Sequence, residues 1–364
     1  MLLGALAALA LTATPAETGR LPPAPRELFR IAWKKQLVAP ELGDYQVLEL
    51  GGPAVDATGQ WVVVGTRDGW LHALRPDGAV AWEFQGHGPF AAVPLIQAGT
   101  VYAGCLDGKL HALDLATGAL RWTYDAREQL GTRPKLVNGL VVVASLEDTV
   151  FAVDAASGAW KWHHRRDLRD GFTVHGAADV LSDGQSVYAA YSDGTVTALE
   201  AATGQVRWEQ HLAPSGPYQD IDSMALADGR LYAAAYSGAI IAVDAATGKT
   251  VWSQSYPGAS RLVVSRGAVL AVTTTEVLSL STRDGRASWK VPMSGAPSGA
   301  LQVAGRWLVI PSGLENGLLF HEAASGHFVR LLDPGSGVSA PLGLFGRRAY
   351  VLSNAGTLLA LDLE

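Results

Sequence analysis

The segment that decides the fold is Asp107-Gly108-Lys109-Leu110-His111-Ala112-Leu113-Asp114-Leu115-Ala116-Thr117-Gly118-Ala119-Leu120-Arg121-Trp122. Leu110 to Leu113 alternates as a strand does. Asp107-Gly108 before it reads as a hairpin turn, with glycine supplying the positive φ such turns need. Asp114 and Thr117-Gly118 close a second turn, in which the Asp and Thr side chains bond nearby backbone N–H groups. Arg121-Trp122-Thr123-Tyr124 is then an outer strand, and its indole can bury roughly 150–250 Å² against a neighbour.

The same unit returns along the chain. Asp148–Trp162, Asp193–Trp208 and Ser237–Trp252 are close copies, and Asp68–Trp82 is a shorter one. Val277–Trp289 and Asn316–Phe328 are degenerate, with Phe328 read in the Trp place. A period of about 40 residues filled by strand-like segments alone is that of a β-propeller. The last copy stops at Leu358-Leu359-Ala360-Leu361-Asp362, one strand short. Near the start, Arg30-Ile31-Ala32-Trp33-Lys34 is a Trp strand with no blade before it. Joined, the two make one blade and close a ring. The expectation is an all-β fold over residues 30–364. It is an eight-bladed β-propeller of four-stranded antiparallel blades, or seven-bladed if a degenerate copy is not a full blade.

Composition narrows the function. With 48% hydrophobic and 17% charged residues the chain is globular. A net charge of −6 gives little pull on a phosphate backbone, so nucleic acid is not an expected partner. The densest basic run, Lys161 to Arg166, reads as a solvated loop. Cys105 is the one cysteine, so no disulfide forms within the chain, and its strand-like setting makes it a small buried residue. Leu2 to Leu11 is an apolar run too short to span a bilayer; it matches the core of a secretory signal over residues 1–16. Residues 17–29, with Pro22, Pro23 and Pro25, read as an extended linker.

The unit Asp114-Leu115-Ala116-Thr117-Gly118-Ala119-Leu120-Arg121-Trp122 resembles the pyrroloquinoline-quinone-type propeller repeat. It does not resemble a WD-type repeat, because no Trp is followed by Asp. Within the repeat class the chain resembles the outer-membrane assembly factor BamB family. The closest local match is Asp220-Ile221-Asp222-Ser223 followed by Gly229 to Gly238. The resemblance implies a periplasmic, non-catalytic scaffold at the outer membrane, without a cofactor, acting as a monomer within a complex. Its partner would be the periplasmic domain of a BamA-like barrel protein, and nascent outer-membrane proteins are a further implied partner. It also implies partner-binding residues: Asp220 and Asp222 in one loop, and Phe172, Val174 and His175 in the loop one blade earlier. The family's Arg in that earlier loop is here His175, which lacks the guanidinium fork. No lipid-bearing cysteine follows the apolar run.

Two other readings use the same repeat. A generic envelope propeller would bind another protein or a glycan through different loops. A quinone-dependent oxidoreductase would need metal ligands, a catalytic Asp and often a vicinal disulfide, which one cysteine cannot supply. No Gly-x-Ser-x-Gly, P-loop or His-Glu-x-x-His stands in the chain. His72 and His111 share a repeat position that Phe151, Thr197 and Ile241 fill elsewhere, which marks it as a packing position. His163-His164 has no third metal partner nearby in sequence.

Overall fold

The computed structural model describes residues 28–39, 48–166, 178–213, 219–235, 237–293, 297–312 and 317–364. Its strands form eight four-stranded antiparallel sheets. In seven of them the four strands are consecutive in the chain, and these are blades 1 to 7: residues 54–85, 95–125, 135–165, 181–211, 221–255, 261–292 and 302–332. Blade 8 joins Gly343–Phe345, Arg348–Leu352 and Thr357–Leu363 to Phe29–Gln36. Phe29 pairs with Leu363 and Trp33 with Ala360, so the two ends of the chain close the ring as the sequence implies.

The turns form for the reasons the motif gives. Asp114 Oδ1 accepts from the backbone N–H groups of Ala116 (3.0 Å) and Thr117 (2.9 Å) and from Thr117 Oγ1 (2.9 Å). Asp154 with Ser157 and Asp244 with Thr247 repeat the arrangement. Gly118 takes φ +73°, and a Cβ there would lie 2.7 Å from the Trp82 ring. The indole of one blade thus lies flat on the turn of the next. The same pairing joins Trp33 to Gly78, Trp122 to Gly158, Trp162 to Gly204, Trp208 to Gly248, Trp252 to Gly285 and Trp289 to Gly326. Six of these indoles also donate to a turn carbonyl: Trp33 to Pro76, Trp82 to Leu115, Trp122 to Ala155, Trp162 to Ala201, Trp208 to Ala245 and Trp252 to Thr282, at 2.8–3.1 Å. Hydrophobic burial follows the same division, in eight clusters that each lie between two neighbouring blades.

Two sequence expectations are corrected. In blade 7 the residue opposite Phe320 is Arg330, as Trp122 is opposite Ala112 in blade 2. Arg330 therefore holds the Trp place, and Phe328 stands where Leu120 does, 48% exposed. The reason lies in the closure. Blade 8 ends its third strand at the chain end and has no Thr-Gly turn to receive an indole. Its fourth strand instead offers Phe29, which the Arg330 guanidinium covers at 5.1 Å and Phe320 meets at 5.5 Å. The second correction concerns Lys161 to Arg166. Trp160–Arg165 is the outer strand of blade 3, with Trp162 buried, and the cations are neutralised by acids: Lys161 by Asp154, Arg165 by Glu128, Arg166 by Asp193 and Glu209.

Cys105 is fully buried, as expected, and its Sγ donates to the Gly88 carbonyl at 3.1 Å. His72 and His111 are buried packing residues, bonded to Glu83 and Thr123 respectively.

Candidate partner-binding site

Each blade's first strand is its innermost and borders the central channel. The chain arrives at it from the previous blade on one face of the ring, the crossover face. The hairpins between first and second strands, and the Thr-Gly turns, lie on the far face. Asp220 and Asp222 stand on the crossover face at the start of the inner strand of blade 5, Ile221–Ala227.

Their placement follows from a β-bulge. Ile221 pairs with Ala235 and Ser223 with Ala234, which leaves Asp222 as the extra residue. A bulge re-aims a side chain and bends the strand. Here it turns Asp222 inward. Asp220 is 4% exposed and Asp222 8%. Burial pushes the Asp222 carboxyl up to about 7; Arg261 opposes that rise and Asp220 adds to it. Burial likewise lowers the Arg261 guanidinium, while Asp222 and Asp179 act to raise it.

Aligning the inner strands by register brings out residues that the sequence reading missed. Two positions before the residue paired with Val63, Tyr102, Val142, Tyr188, Tyr232, Leu270, Val309 or Tyr350 stands one ring of side chains. Its polar half is Arg133, Asp179, Ser223 and Arg261, on blades 3 to 6, three of them charged. Its uncharged half is Ala300, Pro341, Gly52 and Val93, on blades 7, 8, 1 and 2. The members touch: the Arg133 N–H donates to Asp179 Oδ1 at 2.8 Å, and a Cβ on Gly52 would lie 2.7 Å from both Pro341 and Val93. Asp179 is reached by solvent yet has protein around it, and burial raises its carboxyl against the pull of Arg133, Arg261 and Lys135. The channel mouth is therefore charged on the side where Asp222 lies and uncharged on the other. The signal was in the sequence, but it needs the strand register, because these positions are not part of the Asp-to-Trp motif.

A network of turns extends the charged side outward. Asp148, in the blade 3 turn, accepts from the Ser192 N–H at 3.0 Å and bonds the Ser192 hydroxyl. Burial raises its carboxyl, and Asp193 and Asp220 add to the rise. Asp193 is also partly buried, yet bonds from Thr195 and Arg166 hold it below the usual carboxylate range. Arg166 bridges Asp193 (2.8 Å) and Glu209 (2.6 Å). Acids of blades 3, 4 and 5 thus act on one another across the crossover face. Phe172, Val174 and His175, the remaining expected partner-binding residues, lie outside the described residues, as do residues 1–27. Among the described residues no group of three His, Cys, Asp or Glu side chains is placed to hold a metal ion. No helix among them is long and apolar enough to cross a membrane.

A family model described as outer membrane protein assembly factor BamB matches residues 30–105, 98–291 and 219–337. No curated protein sequence matches the chain significantly. Among solved structures, the chain is similar to BamB from Moraxella catarrhalis, with a TM-score of 0.80 and 21% identity over 92% of this chain and 100% of that one. It is similar to quinohemoprotein alcohol dehydrogenase from Comamonas testosteroni, with a TM-score of 0.72 and 15% identity over 93% of this chain and 77% of that one. It is also similar to Saccharomyces cerevisiae Sqt1, with a TM-score of 0.72 and 13% identity over 87% of this chain and 96% of that one. At such identities the structural likenesses speak for the fold alone, which unrelated activities share.

Proposed function

This chain belongs to the family of the outer membrane protein assembly factor BamB, and from that membership we propose that it is a non-catalytic scaffold. It works in the periplasm at the outer membrane and assists insertion of β-barrel proteins by docking the periplasmic domain of a BamA-like partner. The observation that carries this reading is the family match, which runs through residues 30–337 and so through blades 1 to 7.

The docking face is the crossover face around blades 4 and 5. Phe172, Val174 and His175, by the family resemblance, supply apolar contact, and the loop holding Asp220 and Asp222 is the second contact segment. With 4% and 8% exposure, the two aspartates act mainly by fixing their loop, and the charge they share with Asp193 and Glu209 on this face contributes a negative potential. Such a potential selects a basic partner surface and speeds encounter more than it adds affinity. A propeller suits this role because its strands pack against one another and leave the loops to carry recognition.

The test is the affinity of the purified propeller for the purified periplasmic domain of a BamA homologue, measured by biolayer interferometry at two salt concentrations. Saturable, salt-weakened binding is expected, with a faster off-rate for Phe172→Ala. No binding by the unaltered chain would overturn the scaffold reading. Unchanged affinity in the Asp220→Asn/Asp222→Asn double variant would remove the aspartates from the site and leave the other loop.

A further inference from the structure

Between blades 6 and 7, on the far face, lies a cleft of about 400 Å³. Its origin is a change in one cross-strand row. In blades 2, 4, 5 and 8 that row reads Tyr–Ala–Trp, as in Tyr102, Ala112 and Trp122. The tyrosine and indole rings sit 5.8–6.0 Å apart there. In blade 6 the row is Leu270, Ser279 and Trp289. Blades 1 and 3 also lack the tyrosine, but their indoles keep the bond to the next blade's turn.

Trp289 does not. Its place on the turn is altered: a Cβ on Gly326 would meet Cε3, Cζ3 and Cη2, whereas the turn glycines of blades 2 to 5 meet the Cγ and Cδ2 end of their indoles. Among the described residues its Nε1–H has no acceptor, while the six other repeat tryptophans each bond a turn carbonyl. The carbonyl that stands in that place is Ala323, and it too lines the cleft. A donor and an acceptor that close on each other elsewhere are here held apart across an opening. Ser279, Arg266, Arg306 and Glu322 also line the cleft, the Glu322 carboxylate accepting from the Ser325 hydroxyl at 2.8 Å. Arg266 bonds the Gly305 carbonyl at 3.1 Å and Arg306 lies over the Trp307 ring at 4.2 Å. Neither forms an ion pair among the described residues.

We propose that this cleft binds a saccharide ring carrying an anionic group. A ring hydroxyl both accepts and donates, so it can take the Trp289 N–H and satisfy the Ala323 carbonyl. The indole offers an apolar face for the sugar's C–H side. The volume suits a small ligand, and the lining mixes apolar side chains with polar ones, as a sugar with its C–H and hydroxyl faces requires. The two arginines with free guanidinium capacity select a carboxylate or phosphate on the sugar. The site is on the face opposite Asp220 and Asp222 and stands independently of them.

The test uses ¹⁵N-labelled protein, in which Trp289 is assigned by the signal lost in Trp289→Phe. D-glucuronate is titrated in, with D-glucose and acetate as controls. A saturable shift of the Trp289 indole resonance with glucuronate is expected, at least several-fold weaker with either control. It should be lost in Arg266→Ala/Arg306→Ala, and lost in Leu270→Tyr, which restores the tyrosine that four other blades carry. No shift of that resonance overturns the proposal. An equal response to glucose overturns the anionic selection, and an equal response to acetate overturns the saccharide.

Discussion

Asp222 is an acid held where water is scarce, and its titration follows from that. Burial raises its folded-state carboxyl to about 7, well above the value of an unfolded aspartate. Between the two values the folded state binds a proton that the unfolded chain has released, so stability falls as pH rises through this window. Asp222→Asn removes the dependence. The variant should be more stable than the parent at pH 8 and should lose that advantage as pH is lowered toward 4, which urea unfolding at a series of pH values will read. His111 runs the other way. Burial lowers it to about 4, Nδ1 is committed to Thr123, and Nε2 is buried with no bond partner among the described residues. Below the ordinary histidine value the unfolded chain takes a proton that the folded state refuses, so stability is lost as pH falls from about 6.5 toward 4. The shift corresponds to about 3 kcal/mol. His111→Gln, which cannot titrate there, should flatten the acid limb of the stability profile, and an unchanged limb would assign acid sensitivity to other groups.

At the level of the blade, the Thr-Gly turn and the Trp strand are two ends of one contact. The glycine is required twice over, by its positive φ and by the indole lying on it. These two demands can be separated. Gly99 has φ +74° but open space where a Cβ would be, whereas a Cβ on Gly118 would meet the Trp82 ring at 2.7 Å. Gly99→Ala should show the backbone cost alone, of order 1 kcal/mol. Gly118→Ala should cost at least about 1–2 kcal/mol more, because the indole must move from its seat. Equal costs in chemical denaturation would mean that the indole contact contributes nothing to adhesion between blades. The same contact explains what could be read from the sequence alone. Six strongly marked Trp strands gave the blades, because each Trp is tied to a turn of fixed chemistry. Blade 7 was misread at Phe328 because its neighbour has no such turn, so nothing holds a Trp at residue 330. The polar half of the channel mouth was not legible at all. Arg133, Asp179 and Arg261 share a height only once the strands are registered, and the bulge at Asp222 shifts blade 5 by one residue against its neighbours.

For the whole ring, stability rests on eight blade-to-blade interfaces, and a closed ring differs from an open stack by one of them. The closing interface is of a different kind. Blade 8 holds its fourth strand without any covalent hairpin, by the register of Phe29–Gln36 on Thr357–Leu363. Trp33 then bonds the Pro76 carbonyl of blade 1 at 2.8 Å and stacks with Tyr350 at 5.9 Å. On the other side Arg330 covers Phe29, and the Trp307 indole donates to the Glu364 carbonyl at 3.1 Å. Residues 29–36 therefore link blades 7, 8 and 1 at once, and no other strand has a tie so distant in sequence. In repeat proteins stability is nearly a sum of neighbour terms, and an open array frays from its ends. A chain beginning at residue 37 should leave blade 8 with three strands and expose the faces of blades 1 and 7. Its unfolding transition should broaden and move to lower denaturant, with amide exchange fastest in blades 8 and 1 and slowest in blades 4 and 5. A synthetic peptide of residues 28–38 added in trans should restore the sharp transition in a concentration-dependent way, since it binds the folded ring alone. Trp33→Ala in that peptide should weaken the rescue by more than Ile31→Ala, because Ile31 is exposed while Trp33 carries the bond to blade 1. If the truncated chain unfolds as sharply as the full one, the closure strand is an ornament of the ring and the remaining seven interfaces alone set its cooperativity.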